Sequence, residues 1–225
     1  MDRKSWYNAL YNNYGRDWEG VIGKDKIQCI RKALQLIGNH KKVLDIGCYN
    51  GYISKIIQEQ GNEVIGVDMS DKAVELCKKK GIVCVQRDLE KKLPFHDEEF
   101  DAVFMGEIIE HIFDTDGLLR EARRVLKKNG VLVLTTPNLA APSRRIKLFF
   151  GINPGIESGT LPLNKNSGHI RYFTCKALAE LLERSGFKIT KIKGDVVLLK
   201  IFKSYKAADI FPGLSWTIIV KGVKQ

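Results

Sequence analysis

The sequence lacks several features that would define other classes of protein. No apolar run approaches the length of a membrane-spanning helix, and the amino terminus is not followed by the apolar core of a secretory signal. The five cysteines are odd in number and include no Cys-x-x-Cys pair, so they indicate reduced thiols rather than a disulfide framework or a zinc site. Together these absences predict a cytoplasmic protein.

The chain also lacks repeats, low-complexity segments and any linker, which favours a single domain over residues 1–225. That length, with 44% hydrophobic and 28% charged residues, suits one α/β domain with a substantial core. The net charge of +11 is compatible with an anionic partner such as nucleic acid or an acidic lipid surface. Because the basic residues are scattered along the chain, a nucleic-acid partner is not favoured.

The chain is organised around residues 42–51, Lys-Val-Leu-Asp-Ile-Gly-Cys-Tyr-Asn-Gly. Their apolar run predicts a buried strand, Gly47 a sharp turn, and the apolar spacing from Tyr52 onward a helix. In parallel α/β sheets, ligands bind over such a turn at the carboxyl ends of the strands, and Asp45 places a carboxylate beside it. A dinucleotide fingerprint is excluded, because Tyr49 and Tyr52 stand where its second and third glycines would fall.

The remaining pattern, Asp-x-Gly-Cys-x-x-Gly, resembles the first motif of the class I S-adenosylmethionine (SAM) methyltransferases, which is commonly Asp-x-Gly-Cys-Gly-x-Gly. Tyr49 stands at the middle glycine of that pattern. The resemblance implies that the turn binds SAM, whose sulfonium and ammonium charges suit a nearby carboxylate. It assigns cofactor binding to Asp45, Gly47, Cys48, Tyr49 and Gly51.

Further cofactor residues follow the next two predicted strands. Residues 63–68 predict a strand that ends in Asp68, where α/β nucleoside-binding folds accept the ribose hydroxyls. Met69 comes next and could pack on the adenine face. Asp88 and Leu89 follow the third strand, where the resemblance implies contacts with the adenine amine and ring.

A second group of reactive side chains follows the predicted fourth strand. In one helical turn Glu107, Glu110 and His111 would share a face and could hold a divalent cation such as magnesium, manganese or zinc. This Glu-x-x-Glu-His run resembles two metal-dependent O-methyltransferase groups, one of ubiquinone biosynthesis and one that methylates the 3′-terminal ribose of small RNAs. A Glu-His pair also occurs here in methyltransferases without metal, where it orients the substrate, so both alternatives stay open.

A later histidine completes the set of candidate catalytic residues. Thr174 predicts the N-cap of a helix over residues 175–185, which places His169 just ahead of a rigid element on the crevice side. The small-RNA group completes its metal site with a later histidine, so the resemblance makes His169 the fourth candidate ligand. Without metal, His111 or His169 would act as general base beside Glu110. A surface histidine without function is the alternative.

Two segments flank this predicted core. Aromatic and apolar residues at helical spacing predict an N-terminal helical cap over residues 1–40. Residues 138–173 carry weak periodicity and several prolines and glycines, and the resemblance implies an insertion on the substrate side. Within it, residues 143–150 form a short basic amphipathic stretch that could touch a membrane surface or an anionic, hydrophobic substrate. Alternatively, Leu148 and Phe149 belong to the core.

The resemblance spans about residues 40–200 and implies an α/β fold. We expect a Rossmann-like, seven-stranded, mainly parallel sheet with an antiparallel final strand and helices on both faces. The implied activity is SAM-dependent methyl transfer, which we expect to act on an oxygen of a small-molecule or lipid-like acceptor, with or without a metal. The alternatives are RNA terminal-ribose 2′-O-methylation and a non-catalytic SAM-binding module. The sequence leaves the oligomeric state open.

Overall fold

The computed structural model describes residues 23–154, 168–199 and 202–225. The predicted N-terminal cap is therefore described only from residue 23 onward, and the centre of the predicted insertion lies outside the described residues. The strands in these ranges are β1 (Lys42–Ile46), β2 (Glu63–Asp68), β3 (Val83–Gln86), β4 (Phe100–Gly106), β5 (Leu126–Pro137), β6 (Phe187–Gly194), β7 (Val197–Leu199), β8 (Phe202–Ser204) and β9 (Thr217–Lys224).

Helices connect most of these strands. They are α1 (Lys24–Ile37), α2 (Tyr52–Glu59), α3 (Asp71–Lys79), α4 (Thr115–Val125), α5 (Pro142–Phe149), α6 (Cys175–Arg184) and α7 (Tyr205–Ile210), with short 3₁₀ helices at Ile109–His111 and Pro212–Leu214. Thr174 caps α6 as expected, because its hydroxyl accepts the N–H of Ala177 at 3.2 Å.

Seven strands form one sheet in the order β3-β2-β1-β4-β5-β9-β6. Strands β1 to β5 pair in parallel, and β9 is antiparallel to both of its neighbours, β5 and β6. The expected fold class is confirmed. The parallel arrangement brings the carboxyl ends of β1, β2, β3, β4 and β5 to one edge, where a ligand of such a sheet binds.

Alternating side chains bury both faces of the sheet. On one face Leu44 and Ile46 join a core cluster with residues of α4 and α6. On the other face Val43 joins a cluster with α1 and with Ile57 of α2. Because successive strand residues point to opposite faces, Asp45 points to the same side as Val43, toward α2.

Lys32 joins α1 to the far end of the chain. Its ammonium donates to the carbonyls of Gly194, Asp195 and Tyr205 at 2.8, 3.4 and 2.9 Å, and to Oδ1 of Asp209 at 2.9 Å. Only 8% of Lys32 is exposed, so this cation is desolvated and depends on these four acceptors.

Two features differ from the sequence-based expectation. The apolar spacing of residues 115–128 and the Asn-Gly pair that follows predict a helix that ends there, but α4 ends at Val125, because β5 begins at Leu126, which pairs with Phe100. The sequence also predicts a final antiparallel hairpin of residues 187–200 and 215–221. The last two strands of the sheet are adjacent and antiparallel, but β7, β8 and α7 lie between them along the chain. The predicted irregular insertion contains the helix α5.

Candidate active site

The turn after β1 has the backbone of a ligand-binding loop. Gly47 and Gly51 have φ angles of 76° and 73°, and Tyr49 has φ 50°, so all three are left-handed. A Cβ on Gly47 would lie 2.7 Å from side-chain atoms of Ile108, just after β4. Gly47 and Cys48 donate their N–H groups to the carbonyl of Val67 in β2, at 2.8 and 3.3 Å. Tyr49 thus adopts the conformation that glycine provides in the related motif.

Asp68 joins this turn to the end of β2. Its Oδ2 accepts the backbone N–H of Tyr49 at 3.0 Å, and its Oδ1 accepts the N–H of Ser70 at 2.9 Å. Only 3% of Asp68 is exposed. Ser70, not Asp68, caps α3, because its hydroxyl accepts the N–H groups of Lys72 and Ala73 at 3.1 and 3.3 Å. Asp68 is therefore held by the turn at residues 47–51, which we call the cofactor turn after its predicted role.

Asp45 lies beneath the turn, and only 2% of it is exposed. The hydroxyl of Ser54 in α2 donates to its Oδ2 at 2.5 Å. Burial raises the pKa of Asp45 to about 7, and the hydrogen bond from Ser54 only partly opposes this. Near neutral pH this carboxyl therefore exchanges a proton, and a nearby cation would favour its charged form.

The predicted adenine residues lie on neighbouring turns after β2 and β3. The N–H of Arg87 donates to the carbonyl of Asp68 at 2.8 Å, which joins the two strand ends. The side chain of Gln86 donates to the carbonyl of Met69 at 3.2 Å. Asp88 accepts the N–H of Glu90 at 3.0 Å, and Leu89 is buried. The structure places Met69, Asp88 and Leu89 along the same sheet edge as the glycine turn.

A second cluster follows β4 and contains Glu110, His111 and His169. One ligand atom from each lies within 4.8 Å of the others. Glu110 is 1% exposed, and the hydroxyl of Thr136 donates to its Oε2 at 3.0 Å. Within the described ranges its Oε1 accepts no hydrogen bond, and Nε2 of His169 lies 3.9 Å from it. We call these three residues the catalytic trio, after the role that the sequence predicts for them.

Backbone contacts bring His169 to this cluster from 58 residues further along the chain. The N–H groups of Ile170 and Arg171 donate to the carbonyl of Glu110 at 2.9 and 3.1 Å. Nδ1 of His111 lies 3.1 Å from the carbonyl of Gly168, so Nδ1 carries the proton in this contact and the lone pair is on Nε2. The two imidazole rings meet edge to face, with centroids 4.8 Å apart.

Glu107 does not join the catalytic trio. Its φ of 56° is left-handed, so the expected helical turn does not start there, and the 3₁₀ helix begins only at Ile109. The hydroxyl of Thr135 donates to its Oε1 at 3.0 Å, and Nζ of Lys26 lies 3.4 Å from its Oε2. Of the four predicted metal ligands, the structure brings together three. No sequence pattern indicates Lys26, which reaches Glu107 from α1.

Burial controls the charge of this region. Burial, and after it the neighbouring Glu107, raises the pKa of Glu110 well above its ordinary value. Burial also works against the charge of Lys26, but Glu107 outweighs it and the pKa of Lys26 is raised overall.

The trio offers a carboxylate oxygen and imidazole nitrogens, a donor set that fits a divalent cation of intermediate hardness such as manganese or zinc.

Helix α5 and the residues just after it expose an apolar surface. Its large exposed side chains are Ile146, Leu148, Phe149, Phe150 and Ile152, so Leu148 and Phe149 are not part of the core. Phe149 is 84% exposed. In the part of the chain that the structure describes, no helix has the length and hydrophobicity to cross a membrane.

Comparison with known proteins shows what this chain is similar to. Residues 44–134 match the family model of a methyltransferase domain. Two relatives named ubiquinone biosynthesis O-methyltransferase are 34% identical over 124 residues (Pelagibacter ubique) and 35% identical over 147 residues (Histophilus somni). These alignments cover 53% and 60% of this chain, and the chain spans 50% and 59% of the relatives' length.

The fold comparison agrees. A solved structure from Thermotoga maritima, described as a SAM-dependent methyltransferase and possible histamine N-methyltransferase, superposes with a TM-score of 0.69 at 21% identity. The superposition covers 99% of both chains. The family match over residues 44–134 and the shared fold agree with a class I SAM-dependent methyltransferase, and the expected resemblance is confirmed. SAM is the cofactor of the family.

Proposed function

We propose that this protein transfers the methyl group of SAM to a hydroxyl oxygen of a small-molecule acceptor. The observation that carries the proposal is the position of the catalytic trio next to the cofactor turn. Ile108, two residues before Glu110, lies against Gly47, and β1 and β4 pair in parallel up to Ile46 and Met105. A methyl donor over Gly47 and an acceptor over Glu110 would therefore be neighbours.

The relatives support an oxygen acceptor of small size. The names of these relatives assign them O-methylation in ubiquinone biosynthesis, which favours a phenolic or catechol-like hydroxyl here. RNA terminal-ribose methylation is not favoured, because neither these names nor the scattered basic residues support it. The five free thiols support the expected cytoplasmic location.

The chain's own residues provide positioning and proton transfer. Alignment of donor and acceptor can contribute about 7–11 kcal/mol to lowering the barrier. Nε2 of His111 can accept the hydroxyl proton, because the carbonyl of Gly168 holds Nδ1 as the donor. His169 lies beside that ring, and Glu110 fixes the segment that carries His169 through its backbone carbonyl.

As an alternative to the histidine base, we extend the proposal to a divalent cation held by Glu110, His111 and His169, in which case Nε2 of His111 is a ligand and not the base. Two observations support it. Oε1 of Glu110 accepts no hydrogen bond within the described residues, and one possible ligand atom from each of the three residues lies within 4.8 Å of the others. A bound cation would lower the pKa of the acceptor hydroxyl and orient it. Glu107 would act indirectly, through its ion pair with Lys26.

The apolar surface of α5 supports an acceptor with a lipid-like tail, and with it contact between this helix and a membrane surface. Phe149 would bind such a tail directly. Phe149→Ser should raise the KM of a long-chain catechol several-fold and leave that of unsubstituted catechol unchanged. Val83→Ser, a change of similar exposure on edge strand β3, is the control. Equal effects on both acceptors would contradict this role.

The activity is tested with SAM labelled in its methyl group. Chelator-treated protein is incubated with catechol acceptors, with and without magnesium, manganese or zinc. We expect metal-dependent transfer that Glu110→Gln abolishes and that Glu107→Gln, the matched carboxylate outside the trio, only reduces. Transfer without metal would retain the histidine base and remove the cation from the proposal. SAM binding with no transfer to any hydroxyl acceptor would favour the non-catalytic SAM-binding module.

A further inference from the structure

Three of the five cysteines meet beneath the cofactor turn. Cys48 belongs to the turn, Cys77 to α3 and Cys84 to β3. Sγ of Cys48 lies 3.7 Å from Sγ of Cys77 and 3.4 Å from Sγ of Cys84, and no two of the three sulfurs are more than 4.8 Å apart. The methyl-transfer geometry described above uses none of these sulfurs.

This spacing fits a single ion better than three unrelated core residues. Sulfurs about 2.3 Å from one metal lie about 3.7 Å apart in tetrahedral geometry and about 4.0 Å apart in trigonal geometry. The cluster is also tightly enclosed, since a Cβ on Gly66 of β2 would lie 2.6 Å from Sγ of Cys48. Cys48 and Cys77 are buried, whereas Cys84 is partly exposed and gives access from solvent.

The charge of the surroundings decides which ion fits. A metal ion would bind the three sulfurs as thiolates. The carboxyl of Asp45 is close enough to Cys48 to act on it electrostatically. Three thiolates around a monovalent cation would leave two net negative charges in a buried place, whereas a divalent cation leaves one. Thiolate ligands select zinc among common divalent ions.

We propose that Cys48, Cys77 and Cys84 bind one Zn²⁺ ion, with solvent at the fourth position on the side of Cys84. Binding releases the remaining thiol protons to solvent and forms three Zn–S bonds. The ion would fasten the cofactor turn to α3 and β3, and its Zn–S bond would replace the hydrogen bond that the thiol of Cys77 donates to the carbonyl of Tyr49 at 3.5 Å. This site is separate from the catalytic trio and does not depend on the proposed reaction.

The test uses reduced, chelator-treated full-length protein titrated anaerobically with Zn²⁺ and with Cd²⁺ as a spectroscopic substitute. Sulfur-to-cadmium charge-transfer absorption reports this site alone, because the catalytic trio contains no sulfur. We expect saturation at one equivalent, unchanged in Glu110→Gln. Cys77→Ser and Cys84→Ser should each weaken binding by at least about tenfold. The matched controls Cys29→Ser and Cys175→Ser, which change cysteines outside the cluster, should leave it unchanged.

A second measurement uses the unaltered protein, so it tests the site even if a variant fails to fold. One equivalent of Zn²⁺ should protect partly exposed Cys84 from alkylation, as read by mass spectrometry, and leave partly exposed Cys175 reactive. The proposal is overturned if no charge-transfer band appears, if Cys84→Ser binds the ion with unchanged affinity, or if Zn²⁺ gives Cys84 no protection.

Discussion

The backbone N–H of Tyr49 donates a hydrogen bond to Oδ2 of Asp68 over 3.0 Å. This contact connects the turn after β1 to the acid at the end of β2. In this turn Tyr49 has a left-handed φ of 50°. This backbone conformation costs free energy for any residue that has a Cβ. The chain therefore carries backbone strain at the point where its cofactor turn is fixed.

Tyr49→Gly and Tyr49→Ala separate this strain from the loss of the aromatic ring. Both remove the side chain, but only glycine relieves the left-handed conformation. We expect Tyr49→Gly to be more stable than Tyr49→Ala by about 1 kcal/mol in urea unfolding. Equal stability of the two variants would show that the turn is not strained.

Asp45 should couple cofactor binding to proton release. Its pKa of about 7 means that the free protein holds roughly half a proton there at pH 7. The positive charges of SAM lower that pKa, so binding should release up to about half a proton at pH 7, and less at pH 9, where Asp45 is already charged. Calorimetry in buffers of different ionisation enthalpy measures the release.

Asp45→Asn should abolish that proton release, and Asp71→Asn, which changes an exposed acid of α3, should leave it intact. Proton uptake, or release that persists in Asp45→Asn, would contradict this role of Asp45.

Lys32→Met should destabilise the protein by about 3 kcal/mol, because it leaves three carbonyls and Asp209 without the buried ammonium. Chemical denaturation measures the change. Arg31→Met, at the exposed neighbouring position of α1, serves as the control and should cost little. A loss below 1 kcal/mol in Lys32→Met would mean that water replaces the ammonium.

His111→Ala should lower kcat by about 10²–10⁴-fold while the dissociation constant of SAM stays within about twofold, because general-base catalysis acts on the acceptor and not on the cofactor. Single-turnover kinetics with labelled SAM provide both values. His96→Ala, an exposed histidine in the loop before β4, should behave as the unaltered protein. Full turnover in His111→Ala would assign the proton to another group.

Most of the fold could be predicted from the sequence, because apolar runs mark the buried strands and helical spacing marks the helices that bury one face. The end of α4 could not. Lys127, Lys128 and the following Asn-Gly pair resemble a helix end, yet they form the exposed beginning of β5. Pairing of Leu126 with Phe100 determines this boundary, and a contact between distant residues has no local signal.

The site shows the same limit. The predicted cofactor residues follow a short contiguous motif and two strand ends, so their place at one edge of the sheet could be predicted; their role stays a prediction. The predicted face of Glu107, Glu110 and His111 assumed a regular helix, which the left-handed backbone of Glu107 prevents. The cysteine cluster was not predicted, because Cys48 is 29 and 36 residues from its partners and no metal-binding spacing joins them.

The most direct test of the central claim is calorimetric titration of the purified protein with SAM. We expect one SAM per chain, and a dissociation constant that rises about 10–100-fold in Asp68→Ala, since hydrogen bonds to a charged group contribute about 1.5–3 kcal/mol. Asp71→Ala, three residues further on, should bind SAM normally. Absence of SAM binding by the unaltered protein, or unchanged affinity in Asp68→Ala, would contradict the account of this cofactor site.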